Sequence, residues 1–225
     1  AAILLARTGR PQRAVEMADW LHRELTLPSG LIADGVWRRE GGVREFDPAV
    51  FTYCQGVTLG ADVEAFRFTG DAVYLERIDA LLTAVTDRMS SGGVITGAGG
   101  GDGGLFNGIL ARYLAFVATD LPVGAPGADD LRARAGDLEL RSADSVWEHR
   151  AIAADGLPVF GPDWHKDARV PDATGQAARK IGGAVASSRT PERDLSVQIS
   201  AGMLLEAAVS VTIGSSEHTG SANLD

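Results

Sequence analysis

The chain has 225 residues, a formal net charge of −9, and 45% hydrophobic residues, a composition typical of one soluble globular domain. The acidic balance disfavours a nucleic-acid partner, because binding to phosphates requires a basic surface. The single cysteine, Cys54, excludes an internal disulfide and a multi-cysteine zinc site. We expect no membrane span, because no apolar run approaches the length that crosses a bilayer, and no signal peptide is visible.

The apolar periodicity is helical along most of the chain, and the helices are of two alternating kinds. One kind has a single apolar stripe among charged residues, and the other is apolar nearly all round. In chain order the sequence predicts the end of an apolar helix at 1–6, an amphipathic helix at 12–27, an apolar one at 52–68, an amphipathic one at 72–89, an apolar one at 105–119, an amphipathic one at 128–149 and an apolar one at 194–213.

A helix without a broad polar face must be covered on more than one side. The alternation therefore predicts helical hairpins in two layers, with the apolar helices inside and the amphipathic helices outside. Strand signals are nearly absent. This pattern indicates an all-α fold, either an α/α toroid or a helical solenoid.

Two connections stand out by length or composition. Residues 90–104, SSGGVITGAGGGDGG, form a glycine-rich loop, and residues 150–193 form a connection much longer than those usual between helices. The second holds Phe160, Trp164 and His165, which favours a functional loop over a disordered one. The last residues, 214–225, have the composition of a disordered tail.

Two motifs in these loops have weak support from their surroundings. Gly99, Gly101 and Gly104 match G-x-G-x-x-G, but no β-α-β unit surrounds them, which disfavours a nucleotide site. Asp163, His165 and Asp167 alternate in the long connection, and no second histidine cluster supports a metal there. We expect neither a metal nor a cofactor.

Adjacent carboxylates are a glycosidase signal in some families, and Asp129-Asp130 is such a pair. The pair follows Pro126-Gly127 at the start of an outer helix, where capping and interaction with the helix dipole explain it better than catalysis. Asp62 and Glu64 lie inside an inner helix, and we expect them to be paired or to face solvent.

Polar and aromatic residues recur where the inner helices begin, and these ends meet at one face of a toroid. Aromatic faces stack on sugar C–H groups, while amides and carboxylates bind hydroxyls, so the recurrence favours a sugar pocket. Capping and core packing explain any single one of these residues as well. The residues are Tyr53, Gln55, Asp102, Phe106, Asn107 and Gln198.

Several short sequence motifs, in the same order along the chain, resemble those of glycoside hydrolase family 76, the endo-α-1,6-mannanases. They are LIADG at 31–35, TYCQGV at 52–57, TGD at 69–71 followed by Tyr74-Leu75, and DGGLFNGI at 102–109 followed by RYL at 112–114. The corresponding motifs of the family read roughly GL-x-x-DG, TYNQG, TGD-x-x-YL and DG-x-x-FKGI-x-x-RYL. The order and spacing agree over 1–149, and Gln198 with Ser200-Ala201 fits the last inner helix more weakly.

The resemblance implies an (α/α)6 barrel, of which this chain supplies about seven of the twelve helices, with 1–213 as the C-terminal part of a single domain. It implies a retaining glycosidase acting on α-1,6-linked mannan, whose catalytic Asp-Asp pair we expect upstream of Ala1. The mannan is the expected partner, which favours a secreted or cell-envelope protein. The residues expected to hold mannose are Asp34, Tyr53, Gln55, Asp102, Phe106 and Asn107.

The chain departs from the family motifs at two positions: Cys54 stands where the family has Asn, and Asn107 stands where the family has Lys. Each change alters a polar group at the expected sugar face. The departures indicate either a divergent member with shifted subsites or relaxed polar contacts at this face. Two other functions stay open. One is a non-catalytic carbohydrate-binding or scaffold protein built from the same helices. The other is an epimerase or lyase on a related toroid, although no histidine lies on the inner helices to support it.

Overall fold

The computed structural model describes residues 1–97, 99–172, 179–181 and 184–221. Helices dominate this part of the chain, as the sequence predicts. The helices are α1 (Ala2–Arg7), α2 (Pro11–Leu25), α3 (Thr52–Thr69), α4 (Val73–Met89), α5 (Phe106–Asp120), α6 (Ala128–Glu148) and α7 (Leu195–Ser221), and a short 3₁₀ turn (Gly101–Leu105) precedes α5.

The predicted helix boundaries agree with the structure to within one or two residues, except at the end of α7. This helix runs to Ser221, past the predicted end at 213. It therefore covers the first part of the segment that the sequence assigns to a disordered tail. Residues 222–225 lie outside the described residues, and the tail stays a prediction.

The two kinds of helix differ in burial as their sequences require. The outer helix α4 buries Leu75, Ile78, Leu82 and Val85 on one face and exposes its charged residues. The inner helix α3 is buried nearly all round from Thr52 to Phe66. Since α3 has no polar face to give to solvent, it must lie between two layers.

Helix contacts form those two layers. The inner helices α1, α3, α5 and α7 follow one another, since α3 packs on α1 and α5, and α5 packs on α7. The outer helices cover them: α2 packs on α1 and α3, α4 on α3, and α6 on α5 and α7. The fold is thus an all-α partial toroid of helical hairpins.

Glycine permits the closest approach between the inner helices. A Cβ on Gly56 of α3 would lie 2.8 Å from Leu110 Cα in α5, and one on Gly108 of α5 would lie 2.7 Å from Ser200 Cα in α7. Both distances are shorter than real Cβ contacts, so any side chain would push the helices apart. Gly56, a poor helix former at the start of a core helix, is explained by this contact.

Short antiparallel hairpins occupy several connections, and the sequence gives little sign of them. The pairs are β1 (Gly35–Arg38) with β2 (Arg44–Asp47), β3 (Ser90–Ser91) with β4 (Val94–Ile95), β5 (Ala151–Ile152) with β6 (Pro158–Val159), and β7 (Arg179–Ile181) with β8 (Ala184–Ala186). Strands of two to four residues are too short to show an alternating pattern. They shape the connections and leave the helical core unchanged.

In the described part of the chain, α7 contains one stretch, Leu195–Gly214, that is long and apolar enough to cross a membrane by length and composition alone. The sequence was not predicted to contain such a stretch. The helix packs on α5 and α6, as a core helix does. The absence of a membrane span therefore stays an expectation.

Candidate active-site groove

A cavity of about 410 Å³ lies where the inner helices begin. The starts of α3 and α5 and the first two turns of α7 face it, together with the end of α4. The glycine-rich loop and the long connection complete its wall. The lining residues that matter below are Phe51, Thr52, Arg88, Phe106, Asn107 and Trp164.

Other cavities of similar size lie elsewhere and differ in what surrounds them. One of about 430 Å³ lies between α1, α5 and α7, and one of about 450 Å³ lies beside the start of α7. Neither has a cluster of aromatic rings close to buried amides. The cavity at the helix starts is therefore the best candidate for a sugar site.

Three aromatic rings form a continuous group beside this cavity. The ring of Tyr53 lies 4.7 Å from that of Phe106, centroid to centroid. Phe51 stacks on Tyr53 at 5.9 Å and meets Phe106 edge-on at 5.2 Å. Phe51 and Phe106 line the cavity directly. This wall offers the flat apolar surface on which a sugar ring stacks.

Asn107 brings an amide to the same place, as the sequence predicts. It is 8% exposed, and its Oδ1 accepts a hydrogen bond of 2.9 Å from Thr52 Oγ1. Both residues line the cavity. The pair joins the start of α5 to the start of α3, and fixes where the amide points.

Asp34 and Tyr53 come together, but as partners of each other. The Tyr53 hydroxyl donates a hydrogen bond to Asp34 Oδ1, which also lies 3.6 Å from Cys54 Sγ. Burial and the Asp34 carboxylate raise the pKa of Tyr53, so it stays a neutral donor. Burial likewise raises the pKa of the Cys54 thiol to about 11. Asp34 thus orients the tyrosine in the aromatic wall.

Gln55 lies behind the wall instead of in the cavity. Its side chain is fully buried, and its Oε1 accepts from the Ile32 N–H at 2.7 Å. Its Nε2 donates to Ile32 O at 2.9 Å and to Phe51 O at 2.8 Å. Because both amide hydrogens are used, Gln55 has no donor left for a sugar. It supports the site by holding Phe51 and the segment before Asp34.

Gln198 repeats this arrangement in α7. The Phe160 N–H donates to Gln198 Oε1 at 3.0 Å, and Gln198 Nε2 donates to Phe160 O at 2.8 Å and Glu192 O at 2.9 Å. Each glutamine is the fourth residue of its inner helix. The recurrence seen in the sequence therefore reflects two clamps on connecting loops.

Asp102 faces away from the cavity. It is exposed, and its Oδ2 accepts a hydrogen bond of 2.9 Å from the Val185 N–H at β8. The 3₁₀ turn before α5 directs it toward the cavity of about 450 Å³ beside the start of α7, which Asp194 also lines. Burial raises the pKa of Asp194, but hydrogen bonds from Gly101 and Ser188 outweigh burial and leave the pKa below its usual value. Both acids tie loops together.

The long connection contributes to the site, as its aromatics indicate. Trp164 is almost fully buried and lines the cavity, and Gly161 and Pro162 lie beside it. Asp163 Oδ2 pairs with Lys166 Nζ at 2.7 Å, while His165 Nε2 lies 3.1 Å from Ser91 O. The ion pair lies within the connection, and the His165 contact joins the connection to β3.

The four other acids that the sequence singles out, Asp62, Glu64, Asp129 and Asp130, do not line the cavity. Asp62 Oδ2 lies 2.7 Å from His22 Nε2, and Glu64 pairs with Arg7, so both are paired as expected. Asp129 and Asp130 lie in the first turn of α6, where they suit the helix dipole. The N-cap itself is Gly127, so the predicted capping role is wrong: the pair begins two residues after the N-cap.

The fold is a two-layered all-α toroid, and aromatic rings lie beside a buried amide where its inner helices begin. The sequence profile of glycosyl hydrolase family 76 matches residues 2–179. The chain belongs to this family of glycoside hydrolases, which confirms the resemblance seen in its sequence motifs.

Solved structures of the same fold agree with this assignment. The chain is similar to the GH76A α-1,6-mannanase from Salegentibacter sp. HEL1_6, with 27% identity and a TM-score of 0.70 over 93% of this chain and 56% of that one. An inactive variant of that enzyme, with two neighbouring aspartates changed to asparagine, was solved in complex with α-1,6-mannotriose; its identity is 28% and its TM-score 0.68, over 93% of this chain and 56% of that one.

A more distant structure shares the fold alone: Dfg5 from Chaetomium thermophilum, in complex with glucosamine, is 20% identical with a TM-score of 0.66, over 95% of this chain and 49% of that one. No curated protein sequence matches the chain. The chain spans about half the length of the solved structures that it matches.

Proposed function

We propose that the chain forms part of a glycoside hydrolase acting on α-1,6-linked mannan, and that the cavity at the helix starts holds mannose units. The observation that carries the proposal is the wall of Phe51, Tyr53 and Phe106 beside the buried amide of Asn107. The likeness to a mannanase that was solved with α-1,6-mannotriose supports this substrate.

The proposed roles of the six predicted residues follow from their positions. Phe106 stacks on a sugar ring, Tyr53 supports it, and Asn107 binds a sugar hydroxyl. Asp34 orients Tyr53, while Gln55 and Asp102 hold the loops that shape the site. Only Phe106 and Asn107 of the six line the cavity directly.

The proposed reaction uses two carboxylates with retention of configuration. One carboxylate attacks the anomeric carbon while the other protonates the leaving oxygen, which requires carboxyl groups about 5 Å apart. Asp129-Asp130 is not this pair, because it lies in the first turn of an outer helix, and Asp130 pairs with Arg134. We assign the catalytic pair to the portion of the relatives that this chain does not span.

A second candidate is a carbohydrate-binding protein without catalytic activity. It is favoured by one observation: no Asp or Glu is among the described residues that line the cavity. The same helices and the same wall would bind mannan without cleaving it.

Incubation of the full-length protein with α-1,6-mannan tests both candidates. The hydrolase proposal expects shortened oligosaccharides whose new reducing ends are first released in the α configuration, followed by NMR. Binding to the polymer without any shortening would support the second candidate. Neither cleavage nor binding by a folded protein would contradict both.

A further inference from the structure

The β1–β2 hairpin begins and ends beside the aromatic wall of the groove. Its first strand follows Asp34, whose carboxylate accepts the hydrogen bond from Tyr53, and its second strand leads to Phe51, which lines the cavity. The Asp34 N–H donates to Ala49 O at 2.8 Å and closes the base of the hairpin. Gln55 binds the backbone on both sides of the hairpin, before Asp34 and at Phe51. These contacts fix the base of the hairpin relative to the wall.

The two faces of this hairpin have different surroundings. Residues opposite one another in the antiparallel register share a face, and successive residues alternate between faces. On one face, Val36 packs on the core and Arg44 Nη2 lies 2.6 Å from Glu24 Oε2 in the outer helix α2. That face therefore lies against the body of the protein. The other face, which we call the Trp37 face, consists of Gly35, Trp37, Glu45 and Asp47.

Trp37 is the most exposed of the four tryptophans, at 55%. Its ring makes no contact with another aromatic ring or with a cation among the described residues, and its indole N–H donates to none of them. Trp147, which is also exposed, stacks instead with Arg150 and Phe160. Trp37 thus presents a large flat apolar surface and a hydrogen-bond donor that no described residue uses.

Two carboxylates share this face with Trp37. Glu45 lies directly opposite Trp37, and Asp47 lies diagonally across the strands, at a Cα separation of about 7–8 Å. Asp47 Oδ1 accepts a hydrogen bond of 3.0 Å from the Ala49 N–H, whereas its Oδ2 has no partner among the described residues. A Cβ on Gly35 would meet no atom within 4 Å, so this end of the face is open. The face therefore combines an accessible ring with a carboxylate acceptor held in place.

This combination suits a neutral sugar. An aromatic ring stacks on the C–H face of a sugar, and a carboxylate accepts hydrogen bonds from its hydroxyls. Arg39 pairs with Glu45, so the face has no excess of positive charge that would attract an anion. The face also lies within reach of the groove: three residues separate Trp37 from Asp34, a span of at most about 11 Å between Cα atoms.

We propose that the Trp37 face binds mannose units of the polymer that extend beyond those held in the cavity. The Trp37 ring stacks on one such unit, and Asp47 accepts hydrogen bonds from its hydroxyls. This inference rests on the proposed function, because it takes mannan as the ligand. It adds an external site outside the cavity, which makes the protein prefer long chains to short ones.

Isothermal titration with α-1,6-mannotriose and α-1,6-mannohexaose tests the inference. Trp37→Ala should weaken binding of the hexaose about tenfold and leave the affinity for the triose within about twofold, because only the longer chain reaches beyond the cavity. Trp37→Phe should weaken hexaose binding less, because a flat ring remains. Trp20→Ala, at an exposed tryptophan of the outer helix α2, is the matched control and should leave both affinities within about twofold.

A second measurement requires no substitution. In NMR spectra of the ¹⁵N-labelled protein, the indole N–H signal of Trp37 should shift on addition of the hexaose and stay in place on addition of the triose. The Trp20 signal should stay in place with both. A Trp37 signal that ignores the hexaose would overturn the inference.

The titrations also separate this inference from the proposed function. Hexaose binding that Trp37→Ala leaves unchanged would overturn the external site, and so would an equal loss for both oligosaccharides, because Trp37 would then act through the cavity. If Phe106→Ala still weakens binding of the triose in that case, the proposed function stands alone. Hexaose binding that depends on Trp37 and not on Phe106 would support the external site and contradict a mannose site in the cavity.

Discussion

At the scale of single residues, Gln55 and Gln198 show why a polar residue at the start of a core helix is ambiguous. A sequence pattern places such a residue at the face where ligands bind, but it does not say which way the side chain turns. In the fold each amide turns back to the loop that enters its helix and bonds both N–H and C=O groups there. The position of the residue in its helix identifies the loop-binding role, because both glutamines are the fourth residue of their helices.

Gln55→Leu tests this structural role. The substitution leaves Ile32 N and Ile32 O without the Gln55 amide in a buried site and removes one hydrogen bond to Phe51 O, at a cost of about 2–4 kcal/mol in the free energy of unfolding. Urea unfolding measures this loss. Gln12→Leu, at an exposed position in α2, is the control and should change stability by less than about 0.5 kcal/mol. A Gln55→Leu protein as stable as wild type would show that the hydrogen bonds of the Gln55 amide do not stabilise the fold.

At the scale of helices, glycine sets the spacing of the inner layer. Gly108 of α5 faces the backbone of Ser200 in α7, and the Ser200 Oγ accepts a hydrogen bond of 2.7 Å from the Gly108 N–H. The two helices therefore meet backbone to backbone beside the groove. A change in this spacing would also move Asn107 and Phe106.

Gly108→Ala should lower the free energy of unfolding by about 1–3 kcal/mol, because its Cβ has no room against Ser200. Gly202→Ala is the matched control within α7, since a Cβ there meets no atom within 4 Å. Alanine favours the helix over glycine, so the control should gain about 0.5–1 kcal/mol. Thermal unfolding of both variants compares the two changes in stability. If both substitutions change the free energy of unfolding in the same direction, the close contact is contradicted.

The buried face of α6 contains Glu139, which is fully buried with no described hydrogen-bond partner for either carboxylate oxygen. Burial raises its pKa well above the usual 4.5. Above the pKa of the unfolded chain, the unfolded state ionises while the folded state stays neutral. The free energy of unfolding therefore falls by about 1.4 kcal/mol per pH unit until the pKa of the folded state is reached.

Glu139→Gln removes this titration and should be more stable than wild type at pH 8, with the difference shrinking toward zero near pH 4. Urea unfolding at pH 4, 6 and 8 measures it. The control, Glu148→Gln, lies at an exposed position of the same helix and should follow the wild-type pH dependence. If Glu139→Gln also follows wild type, the carboxylate has a partner or contacts water.

At the scale of the whole molecule, the alternating periodicity was sufficient to predict the helices and both layers. Helical periodicity persists over four or five turns, whereas the hairpins extend over two to four residues per strand and leave no such pattern. For the site, the sequence correctly predicted that Phe106, Asn107 and Tyr53 lie together at the face where the inner helices begin. The sequence could not predict the direction of Asp102, which depends on a 3₁₀ turn. It also gave no sign of Arg88, which tertiary packing brings to the cavity from an outer helix, although it did point to the loop that contributes Trp164.

The chain exposes apolar residues along one side of its last inner helix. Leu195 is 71%, Ile199 44% and Val209 58% exposed. Such a stripe is unusual on a free surface, so we expect the 225-residue chain to bind a hydrophobic dye or to self-associate. Val209→Lys should reduce dye fluorescence, and Val123→Lys, at an exposed loop position, should not. A monomer without dye binding would mean that this stripe is covered.

Titration of the protein with α-1,6-mannotriose tests the central claim, that the aromatic wall at the helix starts is a mannan groove. We predict saturable binding that Phe106→Ala weakens by about tenfold or more, because the ring that faces the cavity is lost. Phe68→Ala removes an exposed ring at the far end of α3 and should leave the affinity within about twofold. No binding by the folded protein, or equal affinities for wild type and Phe106→Ala, would contradict the account.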